Sequence, residues 1–411
     1  MNVRHYAVVT AAYWAFTLTD GALRLLVLLH FHQLGYTPIQ LATLFLLYEF
    51  FGIVTNFVGG WLAARTGVRA TLIGGMALQV AALLMLAALD QAWPRVWSVA
   101  YVMACQALSG IAKDLTKMSA KSAIKALVPA GDRGGLFKWV AVLTGSKNAL
   151  KGVGFFVGGF LLSTAGFRPA LGIMAGVLAV ILVGVLLMLP AGVGRPQKKP
   201  AFTAVLSTSA GINRLSAARV FLFAGRDVWF VVGVPVFLAT ALGWDFMRVG
   251  GFLALWVIGY GVIQGFAPMM LRGAIGRSAP GRRVAGSLGL LLAGVTALMP
   301  LALQAGWPPA GVILAGLAIF GIVFALNSSV HSYLVLEYAT TDRVSMDVGF
   351  YYMANAAGRL FGTLLSGMTY QWGGLPAALW TAAALGLLAG VIGWTLPPVQ
   401  MHVGAAVPGD E

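Results

Sequence analysis

The chain has 411 residues, of which 59% are hydrophobic and 9% charged, and its formal net charge is +15. An ordinary soluble domain carries about 25% charged residues, so too few remain here to solvate a surface, and most of that surface must face lipid. The charges punctuate apolar runs instead of covering a polar domain, which excludes the nucleic-acid partner that so basic a soluble protein would suggest.

A spanning helix needs about 20 predominantly apolar residues. Twelve stretches qualify, at approximately 7–32, 38–63, 70–89, 97–119, 137–163, 169–190, 215–241, 246–270, 284–304, 309–331, 346–370 and 374–396. The first contains Asp20 and Arg24 and reads as a retained span, not a cleavable signal peptide. The longest connection holds Gly194, Arg195, Pro196, Lys198, Lys199 and Pro200, the composition of a solvated linker. The expected fold is an all-α membrane protein with twelve transmembrane helices in two six-helix pseudo-symmetric bundles. Residues 1–190 make the first bundle, 191–213 a cytoplasmic linker, and 214–411 the second bundle with a short cytoplasmic tail.

Lys and Arg set the orientation. With both termini in the cytoplasm, the inside segments hold 17 of the 27 basic residues, and the outside loops hold three, Arg95, Arg168 and Arg248. The localisation this implies is the cytoplasmic (inner) membrane. A repeat supports the division into halves. An offset of 208 residues carries Leu34-Gly35-Tyr36 onto Leu242-Gly243-Trp244, Lys151 onto Arg359, Gly154 onto Gly362 and Gly159 onto Gly367. Repeated halves imply a binding site at the bilayer midplane between them, and one chain supplies both halves, so a monomer suffices.

Seven cations lie inside the spans: Arg24, Lys113, Lys147, Lys151, Arg219, Arg226 and Arg359. Four acids join them: Asp20, Glu49, Asp114 and Asp227. Each charge near the bilayer centre costs about 2.5–3.5 kcal/mol or more, so the charged spans should enclose water or protein, and the uncharged spans 3, 6, 9 and 12 should face lipid. Asp20 and Arg24 are four apart on span 1 and can pair. Lys113 beside Asp114, and Arg226 beside Asp227, point in different directions and need partners on other helices. Lys113 and Arg219 lie nearer the cytoplasm, within reach of snorkelling. Pairing leaves a surplus of three positive charges. That surplus nominates Lys147, Lys151 and Arg359 for a small anionic substrate, with Arg226, Arg24, Asn148 and Asn355 beside them. Lys147 and Lys151 share a helix face near the midplane. Coupling or gating falls to Glu49, Asp20, Asp227, Lys113 and Asp114; Glu49, with no basic neighbour in its own span, reads equally as a fixed partner for a surplus cation.

Weaker signals remain. Asn56 and Gln264 are repeat mates, and His331 follows Asn327-Ser328-Ser329; each reads first as helix-to-helix glue. Lys117, Lys121 and Lys125 continue the four-residue spacing from Lys113 as a basic stripe, which reads first as a positive-inside anchor and second as a funnel that steers anions inward. Trp14, Trp229 and Trp256 read as packing residues, and Cys105 as a small buried side chain. His5, His30, His32, His331 and His402 are scattered without H-x-x-x-D or H-E-x-x-H spacing. No metal site or cofactor is therefore expected, and a membrane-embedded enzyme acting on phosphate or lipid groups is the runner-up from another class.

Gly60-Trp61-Leu62-Ala63-Ala64-Arg65-Thr66-Gly67-Val68-Arg69 resembles the loop signature of the major facilitator superfamily, with Ala64 at the usual acidic position. Gly154-Phe155-Phe156-Val157-Gly158-Gly159 is similar to that superfamily's antiporter signature, with Phe155 replacing proline, and Gln106 stands where a span 4 pattern begins with arginine. Longer strings, among them Phe16–Arg24, Tyr48–Asn56, Ser109–Leu115, Thr144–Gly152 and Arg226–Val232, resemble the ArsJ-type organoarsenical exporters. The resemblance implies efflux of 1-arseno-3-phosphoglycerate, arsenate resistance and a functional link to glyceraldehyde-3-phosphate dehydrogenase. Another organophosphate or an oxyanion is the alternative cargo.

Overall fold

The computed structural model describes residues 3–90, 92–127, 133–190, 209–275, 280–339 and 344–398. The regular structure among them is entirely helical. Residues 191–208 of the predicted linker, the side chains of Arg65, Lys121 and Lys125, and the tail beyond 398 lie outside this description.

Helix α1 (Val3–Gln33) ends at Gly35, whose φ of +76° turns the chain into the next span. That span begins with the short α2 (Pro38–Thr43). Its first turn is closed by a capping box, in which the Thr37 hydroxyl accepts from Gln40 N–H and the Gln40 side chain accepts from Thr37 N–H. It continues as α3 (Leu46–Thr66). Helices α4 (Val68–Ala87), α5 (Arg95–Leu127), α6 (Arg133–Thr164) and α7 (Phe167–Met188) follow. The seventh span is interrupted: α8 (Ala210–Val228) passes through a π-helical turn at Trp229–Gly233 into α9 (Val234–Thr240). Then come α10 (Phe246–Ile275), α11 (Arg282–Gln304) and α12 (Pro309–Tyr338). The last stretch, α13 (Val344–Trp394), covers two predicted spans and breaks at Gly373–Gly374, where Gly374 takes φ +61° just before Pro376.

Nine helical stretches among the described residues are long and apolar enough to cross a membrane. Helices α5 and α6, 33 and 32 residues long, are not among the nine. The uncharged spans expose apolar side chains as expected, for instance Val180 and Leu187 on α7 and Leu298 on α11. Helix α10 does the same through Leu255 and Met269, which the charge pattern had not singled out.

In lipid, helices associate through close packing more than through water exclusion, so small residues mark the contacts. Helix α6 lies against α1 where Gly154 meets Leu18 and Gly21, and α13 lies against α8 where Gly362 meets Ala224 and Asp227. Two further contacts run between the first and second parts of the chain. Gly159 of α6 packs on the Phe246 carbonyl of α10, and Gly367 of α13 packs on the Pro38 carbonyl of α2. These contacts exchange under the same 208-residue offset, since Gly159 maps onto Gly367 and Pro38 onto Phe246. Ile39 N–H adds a hydrogen bond to Gln371 Oε1 at 3.1 Å beside the second contact.

A Cβ at Gly154 would lie 2.5 Å from the Leu18 carbonyl, whereas one at Gly74 meets nothing within 4 Å. Gly154→Ala should therefore lower detergent stability by about 1–3 kcal/mol, as overpacking does. Gly74→Ala should leave the melting temperature unchanged or slightly higher, which a thermal scan of the purified variants will read.

Candidate functional site

The buried charges gather into one connected cluster. Glu49 of α3 is 1% exposed, and its Oε1 accepts from Arg24 Nη1 of α1 at 2.9 Å and from Arg359 Nη2 of α13 at 2.6 Å. Arg359 also directs Nε to Asp227 Oδ2 at 3.4 Å, while Arg226 Nε donates to Asp227 Oδ1 at 2.6 Å. Five residues thus form an alternating chain, Arg24–Glu49–Arg359–Asp227–Arg226, running from the first span to the seventh. Asp20 takes no part in it and accepts from the Tyr48 hydroxyl at 2.7 Å. On α5, Asp114 accepts from Lys117 Nζ at 2.6 Å, and Lys113 sits 3.9 Å from its other oxygen. Lys117 Nζ also donates to Asn56 Oδ1 at 2.7 Å.

Two cavities flank the cluster. The first, of about 170 Å³, lies among α1, α3, α5, α6 and α13, with Tyr13, Asp20, Glu49, Asn56, Lys113, Asp114 and Lys117 in its wall. The second, of about 180 Å³, lies among α6, α8, α10, α12 and α13. Arg219, Arg226, Asn148 and Gln264 line it beside the aromatic rings of Phe223, Phe230, Trp256 and Tyr260. Lys147, Lys151, Tyr352, Asn355 and Arg359 belong to both walls. Among the described residues seven basic side chains face three acidic ones across the two cavities, and no carboxylate lines the second.

Residues 8–335 match the Major Facilitator Superfamily. The chain belongs to that superfamily. Among solved structures, a POT family transporter in complex with a thioalcohol-conjugated peptide aligns with a TM-score of 0.76 over 95% of each chain at 16% identity. A POT family transporter in complex with 5-aminolevulinic acid gives a TM-score of 0.75, again over 95% of each chain at 16% identity. At that identity the likeness concerns the fold. No curated protein matches the chain. This major facilitator is a transport protein and not an enzyme, as are its family and its structural neighbours.

Several expected pairings turn out differently in this transporter. Arg24 reaches across to Glu49 and leaves Asp20 to a phenol, because the pull of a second helix outweighs the i,i+4 neighbour. Arg226 folds back onto the adjacent Asp227, and Asp114 is held from its own helix by Lys117, so neither pair depends only on another helix. Arg359 is not a surplus cation but is held by two carboxylates. Lys113 and Arg219 both find partners within the helix bundle. Lys113 stands 4.0 Å above the Tyr48 ring; Arg219 donates to Asn355 Oδ1 at 3.0 Å and to Ser328 Oγ at 3.1 Å, with Phe223 stacked 4.0 Å away. Of the nominated cations, Lys151 has no carboxylate within ion-pair distance among the described residues; the Phe155 ring lies 5.8 Å from its ammonium. Asn148 bonds Gln264 at 3.1 Å across α6 and α10, so it joins helices and lines a cavity at once.

The sequence reading missed Tyr48, Tyr352, Lys117 and the aromatic wall. Tyr48 precedes Glu49, and Lys117 lies one turn beyond Lys113, so both stood within reach of a helical-face argument. Tyr352 and Tyr260 carried no signal in the sequence. Trp256 lines the second cavity while donating Nε1–H to the Leu317 carbonyl at 2.8 Å, so it is both packing and wall.

Removing Arg359 strips one donor from each of two buried carboxylates, whereas removing Lys151 strands no acid. Arg359→Ala should therefore cost about 1–3 kcal/mol of stability, and Lys151→Ala should melt at or above the wild-type temperature. Thermal unfolding of both variants in the same detergent will separate them.

Proposed function

We propose that this protein exports a small organic anion by alternating access, with a site at the midplane where the two cavities meet. The observation that carries this reading is the composition of their walls: seven cations against three acids at membrane depth. Burying more positive than negative charge is costly even where some of the cations are paired, and an anionic cargo would offset the cost when bound. Arg suits bidentate contact with a phosphate-like group, and Lys supplies a point charge. A cationic drug would meet repulsion in such a cavity.

On this reading the chain spans the inner membrane twelve times with both termini in the cytoplasm. The nine recognised stretches, the division of α13 at Gly373–Gly374 and the charged helices α5 and α6 together reach that number. Residues 1–190 and 214–411 are then the moving halves, the linker joins them, and one chain suffices. The sequence strings shared with ArsJ-type exporters suggest the cargo, 1-arseno-3-phosphoglycerate, made when arsenate enters the glyceraldehyde-3-phosphate dehydrogenase reaction. That molecule has anionic groups at both ends of a three-carbon body, and two cavities sharing Lys147, Lys151 and Arg359 suit such a shape. Pentavalent arsenic esters need hydrogen-bond donors, whereas trivalent arsenic seeks thiolates, and Cys105 is buried away from both cavities.

Uptake into inside-out vesicles tests the reading, with arsenate and the organoarsenical ester supplied separately. The ester should accumulate and arsenate should not; accumulation of arsenate alone would shift the cargo to the oxyanion. Lys151→Ala and Arg359→Ala should each abolish uptake while the protein still reaches the membrane. In cells, protection against arsenate should require the dehydrogenase, and resistance to arsenite should not change.

A further inference from the structure

Glu49 occupies the position of a ligand. Its Oε1 receives one guanidinium from α1 and another from α13, residues that lie 25 and 310 positions away in the sequence. The arrangement is monodentate. Glu49 Oε2 and Arg24 Nη2 are both buried and make no hydrogen bond among the described residues. A single carboxylate oxygen therefore consumes only part of what two guanidinium groups offer, since each carries five N–H donors in a planar fork. A phosphoryl or arsonyl group, with three oxygens, would engage more of them. Asp227 holds Arg359 through Nε and Glu49 holds it through Nη2, so Arg359, which lines both cavities, has a second carboxylate partner besides Glu49.

We infer that Glu49 is an internal counter-anion, displaced from the Arg24–Arg359 pair by the anionic group of the cargo. This deepens the anion-transport reading above and rests on it. While cargo is bound, its own charge neutralises the two guanidiniums. After release, Glu49 re-engages them, and the empty cavity can close and reorient without burying two bare cations. Glu49 therefore permits net transport, in which the carrier returns empty, and is dispensable for exchange, in which the carrier returns loaded. Asp227 is a positioning residue for Arg359.

The test uses purified full-length protein and three probes: inorganic phosphate, arsenate and 3-phosphoglycerate. In Glu49→Gln the competing charge is gone, so the probe that binds wild type should bind about tenfold more tightly. In proteoliposomes loaded with that probe in labelled form, net efflux into substrate-free buffer should fall about tenfold or more in Glu49→Gln. Exchange against unlabelled probe outside should stay near the wild-type rate. A residue that only held the fold together would depress both legs equally. Should Glu49→Gln fail to fold, Glu49→Asp keeps the charge but shortens the reach, and it should show the same split in weaker form. Unchanged affinity with net efflux at the wild-type rate, or equal loss of efflux and exchange, would overturn this inference alone. Wild-type protein that binds none of the three probes would overturn the premise that the site takes phosphoryl or arsonyl groups, and this inference with it.

Discussion

One carboxylate oxygen, at Glu49, receives guanidinium groups from near both ends of the chain. The rest of the interior is arranged around that convergence. A buried ion pair gains strength from its low-dielectric surroundings, but removing the charges from water costs several kcal/mol per ion. The protein limits that cost by alternating signs along Arg24, Glu49, Arg359, Asp227 and Arg226 and by laying aromatic faces over the cations. Phe45 and Tyr48 lie 5.4 and 5.6 Å from Arg24, and Phe223 lies 4.7 Å from Arg226. Such contacts contribute about 0.5–2 kcal/mol each. They stabilise positive charge without neutralising it.

The repeat gives these charges their place. Lys151 and Arg359 are repeat mates, and both stand in the wall shared by the two cavities. They differ in chemistry: Arg359 is held by two carboxylates, while Lys151 stands beside an aromatic ring. The two cavities differ in the same way. The one on the α1 side mixes signs and contains Asp20, Glu49 and Asp114, while the one on the α8 side offers cations, amides and aromatic faces. Positions related by the 208-residue offset thus stand in unlike linings.

Much of this could be read from the residues. Apolar runs broken by Gly and Pro place the helices, because in lipid every backbone polar group must be bonded within its own segment, although α5 and α12 run past the predicted ends at 119 and 331 to Leu127 and Tyr338. The break at Gly373–Gly374 falls at the predicted junction between the spans 346–370 and 374–396, whereas the division of the second span near Leu44 falls inside a predicted span, since it does not change hydropathy. The identities of the buried charges were also legible, because an ionisable side chain in an apolar run is too costly to face lipid and must line a cavity or meet a partner. Their partners were not. Asp20 and Arg24 satisfy the one-turn rule, yet Arg24 turns to Glu49, because tertiary approach brings a carboxylate closer than the helix face does. Aromatic wall residues such as Tyr260 and Tyr352 look like core from sequence, since facing a cavity and facing a neighbouring helix require the same side chain.

The π turn at Trp229–Gly233 has a further consequence. A π turn holds one residue more than an α turn, and each residue advances a helix by about 100°. Arg226 and Asp227 precede this inserted residue, and Trp229 within it points into the packing against Trp256 and Phe320. The Ser366 hydroxyl of α13 accepts from Val232 N–H at 3.1 Å and Gly233 N–H at 3.3 Å, supplying partners to backbone groups in the widened turn. The seventh span is therefore two helical faces joined out of phase and stitched by a serine. Were one residue deleted there, the segment bearing the Arg226–Asp227 pair would rotate by nearly a third of a revolution relative to α9, and the guanidinium steadied by Asp227 would lose its support although no charged residue had been changed.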